Sequence, residues 1–299
     1  SNDFLNWQNP FTFLPGFPGA GAGQLALPPD NQFHQVLASA GYQFSDRTRA
    51  SADIAFGRMT QNDGFLASTQ NITLAVPGLP GSSLNGRVAT IDANLKLTSA
   101  VTERLRLNAA YIYNDRDNQT SQSIYPSVST DMFAGAPRAN LPYSFTLEKF
   151  KLSADYKALA NLKVSIGADL DSRKRTLQEV DTTREDTVWG KITSRVADKF
   201  DLTFKLAHGE RRSSGYQAVP AIAPPENPLL RKYNMAGRTR DTAGLRIDFP
   251  VHERVNVGLG ADGSEDKYSD STIGLLSGKD VTLNGDISVM FTQDTSLHL

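Results

Sequence analysis

Residues 36–56 read VLASAGYQFSDRTRASADIAF, and their alternation decides the fold. Val36, Ala38, Ala40, Tyr42 and Phe44 occupy every second position, and after the polar turn Ser45 to Thr48 the rhythm resumes with Ala50, Ala52, Ile54 and Phe56. Side chains of an extended strand point alternately to opposite faces, so this spacing gathers the apolar groups on one face of a hairpin. A helix would need them three and four apart.

The unit recurs along the chain. Ala89, Ile91, Ala93, Leu95 and Leu97 turn into Leu105, Leu107, Ala109, Tyr111 and Tyr113, and Phe150, Leu152, Ala154 and Tyr156 turn into Leu162, Val164, Ile166, Ala168 and Leu170. Val188, Ile192 and Val196 lead to Leu202, Phe204 and Leu206; Ala243, Leu245, Ile247 and Phe249 lead to Val255, Val257, Leu259 and Ala261. Val281, Leu283, Ile287, Val289 and Phe291 open a sixth hairpin whose second strand is cut short at Leu299. The pattern predicts about twelve antiparallel strands of roughly ten residues, nearer the length of a tilted transmembrane strand than the five or six usual in soluble sheets.

Short turns inside the hairpins alternate with long connections at about 60–86, 117–146, 173–182, 211–237 and 263–277. A large soluble antiparallel sheet would mix loop lengths at both ends, whereas a transmembrane barrel puts short turns on the periplasmic side and long loops outside. The expected architecture is therefore all-β, a segment of an up-and-down transmembrane β-barrel. Residues 1–299 form one such segment, with 1–30 a Pro/Gly-rich loop leading into the first strand. Tyr42 and Phe44 beside a short turn, and Phe56, Tyr111 and Tyr113 beside long loops, fit two interfacial aromatic girdles.

The alternation also sorts the faces. Ile54, Ile91, Leu107, Ile166, Leu206, Leu245 and Val257 are expected to face lipid. Asp53, Arg106, Asn108, Asp155, Lys163, Asp169, Arg246 and Asp286 fall on the opposite face, where a barrel has its lumen.

Composition removes other classes. The 299 residues hold 31 basic and 32 acidic side chains, a net charge of −1, so no global field attracts nucleic acid. With no cysteine, the chain has no disulfide, no thiolate metal site and no CxxCH haem attachment. The uncharged stretches 4–29 and 64–86 are broken by Pro and Gly and read as loops, not membrane helices. No signal sequence opens the chain, so one was removed or lies upstream.

Several motifs carry little. Gly258-x-Gly260-x-x-Gly263 has dinucleotide-fingerprint spacing but is followed by a charged loop where the fingerprint needs a helix. His34, His208, His252 and His298 have no second ligand at metal spacing and read as polar-face or interfacial histidines. The acidic groups Asp115 and Asp117, and Asp262, Glu265, Asp266 and Asp270, offer oxygen ligands for Ca²⁺ without EF-hand order, and read as solvated loop charges. Arg173 to Arg175 and Arg211-Arg212, at strand ends beside long loops, are candidates to meet lipopolysaccharide phosphates, but without interleaved aromatics they do not read as nucleic-acid sites. No GxSxG, HExxH or P-loop is present, so the chain is not read as an enzyme.

Specific segments resemble one family. Pro29 to Gln35 (PDNQFHQ) with Gly41-Tyr42-Gln43-Phe44, Gly57 to Asp63 (GRMTQND), Tyr111 to Asn118 (YIYNDRDN), Leu230 to Asn234 (LRKYN) and Tyr268 to Ser271 running into Ile273-Gly274-Leu275 are similar to the MtrB/PioB family of decahaem-associated outer-membrane proteins. The resemblance implies a large barrel in the bacterial outer membrane that sheathes a periplasmic multihaem c-type cytochrome, with an extracellular multihaem cytochrome at the long loops as a further partner. It implies no cofactor of the chain's own, the haem being carried by the cytochrome, and no nucleic-acid partner. The alternative is a general diffusion porin or outer-membrane transporter without a cytochrome.

The chain is shorter than that family's members and lacks the Cys-x-x-Cys found near the start of some, which points to missing parts upstream and downstream. A closed twelve-strand barrel at about 4.8 Å per strand and about 40° tilt has a radius of only roughly 12 Å; twice the strands would give roughly twice the radius, enough for a slender haem protein.

Overall fold

The structure is a computed structural model that describes residues 3–8, 22–129, 131–197, 199–217, 226–292 and 295–298. Two short strands come first, β1 (Phe4–Gln8) and β2 (Ala22–Ala26), followed by the long strands β3 (Gln32–Ser45), β4 (Thr48–Gln61), β5 (Gly86–Ala100) and β6 (Leu105–Asn118). A small hairpin, β7 (Ile124–Ser129) and β8 (Phe133–Ala139), precedes β9 (Phe145–Leu159), β10 (Leu162–Arg175), β11 (Thr182–Val196) and β12 (Phe200–Ser213). Then come β13 (Leu230–Arg231), β14 (Arg238–His252), β15 (Val255–Lys267), β16 (Ile273–Gly274), β17 (Ser277–Met290) and β18 (Ser296–His298). Among the described residues there is no helix.

Twelve strands make one antiparallel sheet in the order β3-β4-β5-β6-β9-β10-β11-β12-β14-β15-β17-β18. Each long strand pairs with its neighbours in the main sheet, as an up-and-down wall requires, and among the described residues the outer edges at β3 and β18 are unpaired. The long strands run 13–15 residues rather than ten. At about 3.3 Å per residue and about 40° tilt, such strands rise roughly 35 Å, enough to cross a hydrocarbon layer of about 30 Å and enter the headgroups.

The added length comes from residues expected in the connections. β10 continues through Arg175 and β15 through Lys267, because polar residues at strand ends break the apolar alternation without breaking the ladder. The connection at 117–146 is not plain loop either: β7 and β8 pair antiparallel within it, a hairpin whose rhythm is hidden by Pro126 and Pro137. The expected loop over 1–30 holds a ladder in which Phe4 opposes Ala26 and Gln8 opposes Ala22, while residues 9–21 of it lie outside those described.

The two ends of the sheet differ in kind. At one end the hairpins close on short turns, three of them of two residues, Asp46-Arg47, Ala160-Asn161 and Glu253-Arg254. At the other, the connections after β10, β12 and β15 pack together, burying Val180, Met235, Ala236 and Tyr268. Arg211 ties them to the wall by donating from Nε to the carbonyl of Ala236 at 2.9 Å.

Candidate functional site

Directly opposed residues on neighbouring strands share a face, so the register assigns every side chain. Ile54 opposes Ala93, on the side of β5 that carries Ile91, and Ile91 opposes Asp115, on the side of β6 that carries Leu107. Leu107 opposes Ala154, Ala154 opposes Ile166, Ile166 opposes Gly190, and Gly190 opposes Leu206. Leu206 opposes Ala243, two positions from Leu245, and Leu245 opposes Ala261 on the side of β15 that carries Val257. The seven residues lie on one face.

The other set shares the opposite face. Asp53 opposes Asn94, and Asn94 opposes Ile112 on the side of β6 that carries Arg106 and Asn108. Arg106 opposes Asp155, which opposes Ser165, flanked on its own side of β10 by Lys163 and Asp169. From Ser165 the row continues through Lys191 and Lys205 to Gly244, two positions before Arg246. Asp286 opposes Gly258 on the same face and accepts a hydrogen bond from Nη2 of Arg246 at 2.8 Å.

Exposure is inverted relative to a soluble sheet. On the apolar face Ile166 is 60% exposed and Leu283 77%, while on the polar face Ser165 is 1% exposed and Ala55 7%. Bending a sheet crowds its concave side and opens its convex side, so the polar face is the inside of the curve. Gly167 shows the crowding: a Cβ there would fall within the ring of Trp189, whose Nε1 donates to Asp169 at 3.4 Å. On the apolar face a Cβ at Gly190 would meet nothing within 4 Å.

The polar face is laced with ion pairs. Lys149 meets Asp171 at 2.6 Å, Arg238 meets Glu185 at 2.8 Å, Arg240 meets Asp266 at 2.6 Å, and Arg246 meets Asp248 at 2.7 Å. Asp155 is the most connected of the expected residues. It accepts from Ser165 Oγ at 2.5 Å and Asn108 Nδ2 at 3.1 Å and lies 3.4 Å from Lys163. Asp169 lies 3.8 Å from Lys151. Asp53 and Arg106 stand outside these pairs. Alternation alone puts Ser165 on the polar face without its partner; Trp189, Glu185 and Arg238 were not singled out, and Asp266, expected as a solvated loop charge, is buried within β15 against Arg240, because these partners depend on the stagger between strands.

The apolar band has a charged rim at the long-connection end. On the apolar side of their strands lie His208 and Asp241, 2.7 Å apart, Arg184 with Asp186 at 3.0 Å, and Arg212 with Glu210 at 3.0 Å. Tyr42 and Phe44 stack edge to face at 4.8 Å beside the Asp46-Arg47 turn. Tyr111, on the same face, donates from its hydroxyl to Glu148 at 3.0 Å.

The remaining motifs find their places. Gly258, Gly260 and Gly263 all lie within β15, with no helix after them. Asp262 and Asp266 point to one face of β15 and Glu265 to the other, so these carboxylates do not converge; Asp115 accepts from Thr146 and Asp117 from Gln119. Among the described residues no three His, Cys, Asp or Glu side chains gather at metal-binding distance.

Comparison with known proteins adds to this geometry. The sequence profile of the outer membrane beta-barrel porin family MtrB/PioB matches residues 1–299. The protein named "Outer membrane protein MtrB" of Shewanella baltica (strain OS185) is 35% identical over 291 residues, covering 97% of this chain and 41% of the relative. The chain thus spans about two fifths of that relative's length. Among solved structures, the outer-membrane protein OmpT of Vibrio cholerae matches at 9% identity and a TM-score of 0.41, over 85% of this chain and 86% of OmpT. The ferric enterobactin receptor PfeA of Pseudomonas aeruginosa matches at 9% identity and a TM-score of 0.47, over 94% of this chain and 45% of the receptor.

Proposed function

Because the chain belongs to the MtrB/PioB family of outer-membrane β-barrel porins, we propose that it forms part of the wall of a wide barrel whose polar lumen houses a periplasmic multihaem c-type cytochrome, so that electrons cross the outer membrane along the haems. The wall is not an enzyme and holds no redox centre; it insulates and aligns its cargo. An extracellular multihaem cytochrome would meet it at the packed long connections.

The inversion of exposure carries this reading. An apolar convex face and an ion-paired concave face suit lipid outside and a wet interior inside, and in lipid every backbone group must be paired within a closed ring. The open edges at β3 and β18 are then places where further strands of the same ring add. Roughly twice these strands would give a radius of roughly 24 Å, which admits a folded haem protein. A lumen of mixed charge holds such a cargo through hydrogen bonds and water bridges rather than a greasy contact.

The test is purification of the full-length protein from its native membrane. Haem absorbance co-purifying with the barrel in fixed ratio is the expected result. Haem-free protein with high ion conductance in planar bilayers would make it a diffusion porin instead.

A further inference from the structure

The charges on the polar face are not evenly mixed. On β9 to β12 Lys157 opposes Lys163 and Lys191 opposes Lys205, two like-charge pairs in neighbouring rows, with Arg106 at their side. Like charges directly opposed destabilise a ladder. Elsewhere on this face such conflicts are neutralised: Asp201 opposes Asp248, but Arg195 lies 3.5 Å from the first and Arg246 2.7 Å from the second.

Of the four lysines, Lys163 alone has a carboxylate partner among the described residues. Asp155 is the carboxylate among them, and it lies within ion-pair distance of Lys163 while Ser165 and Asn108 take its other contacts. Among the described residues no carboxylate comes within 4.0 Å of Lys157, Lys191 or Lys205. Arg106, Lys157 and Lys163 border an open depression of about 360 Å³, which Glu103, Asp155 and Asp201 also line. Across β14 to β17 the balance tips to acid: Asp248 and Asp286 share Arg246, while Asp262 and Asp280 on the same face have no cation within 4.0 Å among the described residues.

We propose that this cluster is a docking surface for a carboxylate-rich patch on the protein held in the lumen, and that it fixes which side and which end of that protein meets β9 to β12. The inference rests on the cytochrome reading and adds to it an orientation. Unneutralised cations facing a confined lumen raise the local potential, and a patch of Asp and Glu side chains would relieve the repulsion within both lysine pairs at once. The acidic wing beside it on β14 to β17 would repel the same patch, so a rotated cargo is disfavoured as well as the correct one favoured.

The experiment uses the full-length protein purified with its haem partner. Haem absorbance per barrel is measured across salt for the native protein, for Lys157→Glu/Lys191→Glu/Lys205→Glu, for the same three positions as Gln, and for Asp262→Lys/Asp280→Lys. Heat-modifiable electrophoretic migration reports barrel folding. Native retention should fall as salt rises, the Glu variant should lose about tenfold or more at about 0.15 M salt, and the Gln variant should fall between them. The aspartate variant should lose no more than about twofold.

Native retention from Glu variants that fold, or an equal loss from the aspartate variant, would overturn the docking surface while leaving the cytochrome reading intact. Should the Glu variant fail to fold, a Gln variant with native retention at every salt concentration would overturn it equally. Absence of haem from the native protein would remove both.

Discussion

Ser165 and Ile166 are adjacent in sequence and face opposite worlds. Ser165 is buried and donates to Asp155, and Ile166 is open on the apolar face. Replacing Ser165 with Ala removes one of the partners that hold Asp155, and should lower stability by about 1–2 kcal/mol in reversible unfolding from lipid vesicles. At Ile166, Arg should cost about 2–4 kcal/mol because it puts a cation near mid-membrane, whereas a change to Leu should cost less than about 1 kcal/mol. An Arg tolerated at Ile166 as easily as Leu would mean that this face does not meet lipid. Ile166 and Asp155 could both be assigned from alternation alone. Ser165, one residue before Ile166, falls on the polar face by the same alternation, but only the register with β9 shows that its hydroxyl completes the Asp155 cluster.

The hairpin is the unit that alternation reads well, and its turn is what it reads badly. Two-residue hairpin turns normally take primed geometries with positive φ, because ordinary turns twist against the strands. Here Asp46-Arg47, Ala160-Asn161 and Glu253-Arg254 are absent from the positive-φ residues, and a register shift lies beside each: at Gln43/Ser45, Leu162/Lys163 and Pro250/His252. The shift absorbs the mismatch that a primed turn would have avoided. In the three-residue connection after β11, Ala197 has a positive φ of 49°. A left-handed alanine is strained by about 1–2 kcal/mol, so Ala197→Gly should raise stability by about 0.5–1 kcal/mol once glycine's extra unfolded-state freedom is counted. A lowered denaturation midpoint for that variant would show that the turn is not strained. The small ladders β1–β2 and β7–β8 escaped the sequence because prolines and glycines around them mask the period of two.

Across the whole molecule the apolar band lies between an end of tight turns and an end of packed connections, and the packed end was the least legible part of the sequence. Its core draws Val180, Met235 with Ala236, and Tyr268 from three separate connections, so no local window shows the pattern. Glu179, 4% exposed, and Glu226 both pair with Lys232, and the guanidinium of Arg231 lies 4.6 Å from the ring centre of Tyr216. Burial works against the Lys232 ammonium, yet the hydrogen bonds and charges of the two glutamates hold its pKa above the ordinary lysine range. A group whose folded pKa is raised stabilises fully below its unfolded pKa of about 10.4 and loses that contribution only as pH climbs through the folded value. Lys232 should therefore contribute equally between about pH 6 and pH 9, and its loss should matter throughout that range. Lys232→Met leaves the buried Glu179 carboxylate without its cation; with Lys232 itself a third exposed, the effect is about 1–2 kcal/mol. That raises the open population about 5- to 30-fold, which limited proteolysis of the β12–β14 connection reads as faster cleavage when opening is rapid. Unchanged cleavage would show that the connections are held by their apolar core alone. Faster cleavage would make the ion triad a clamp that keeps this end rigid, as a platform for an extracellular partner would need to be.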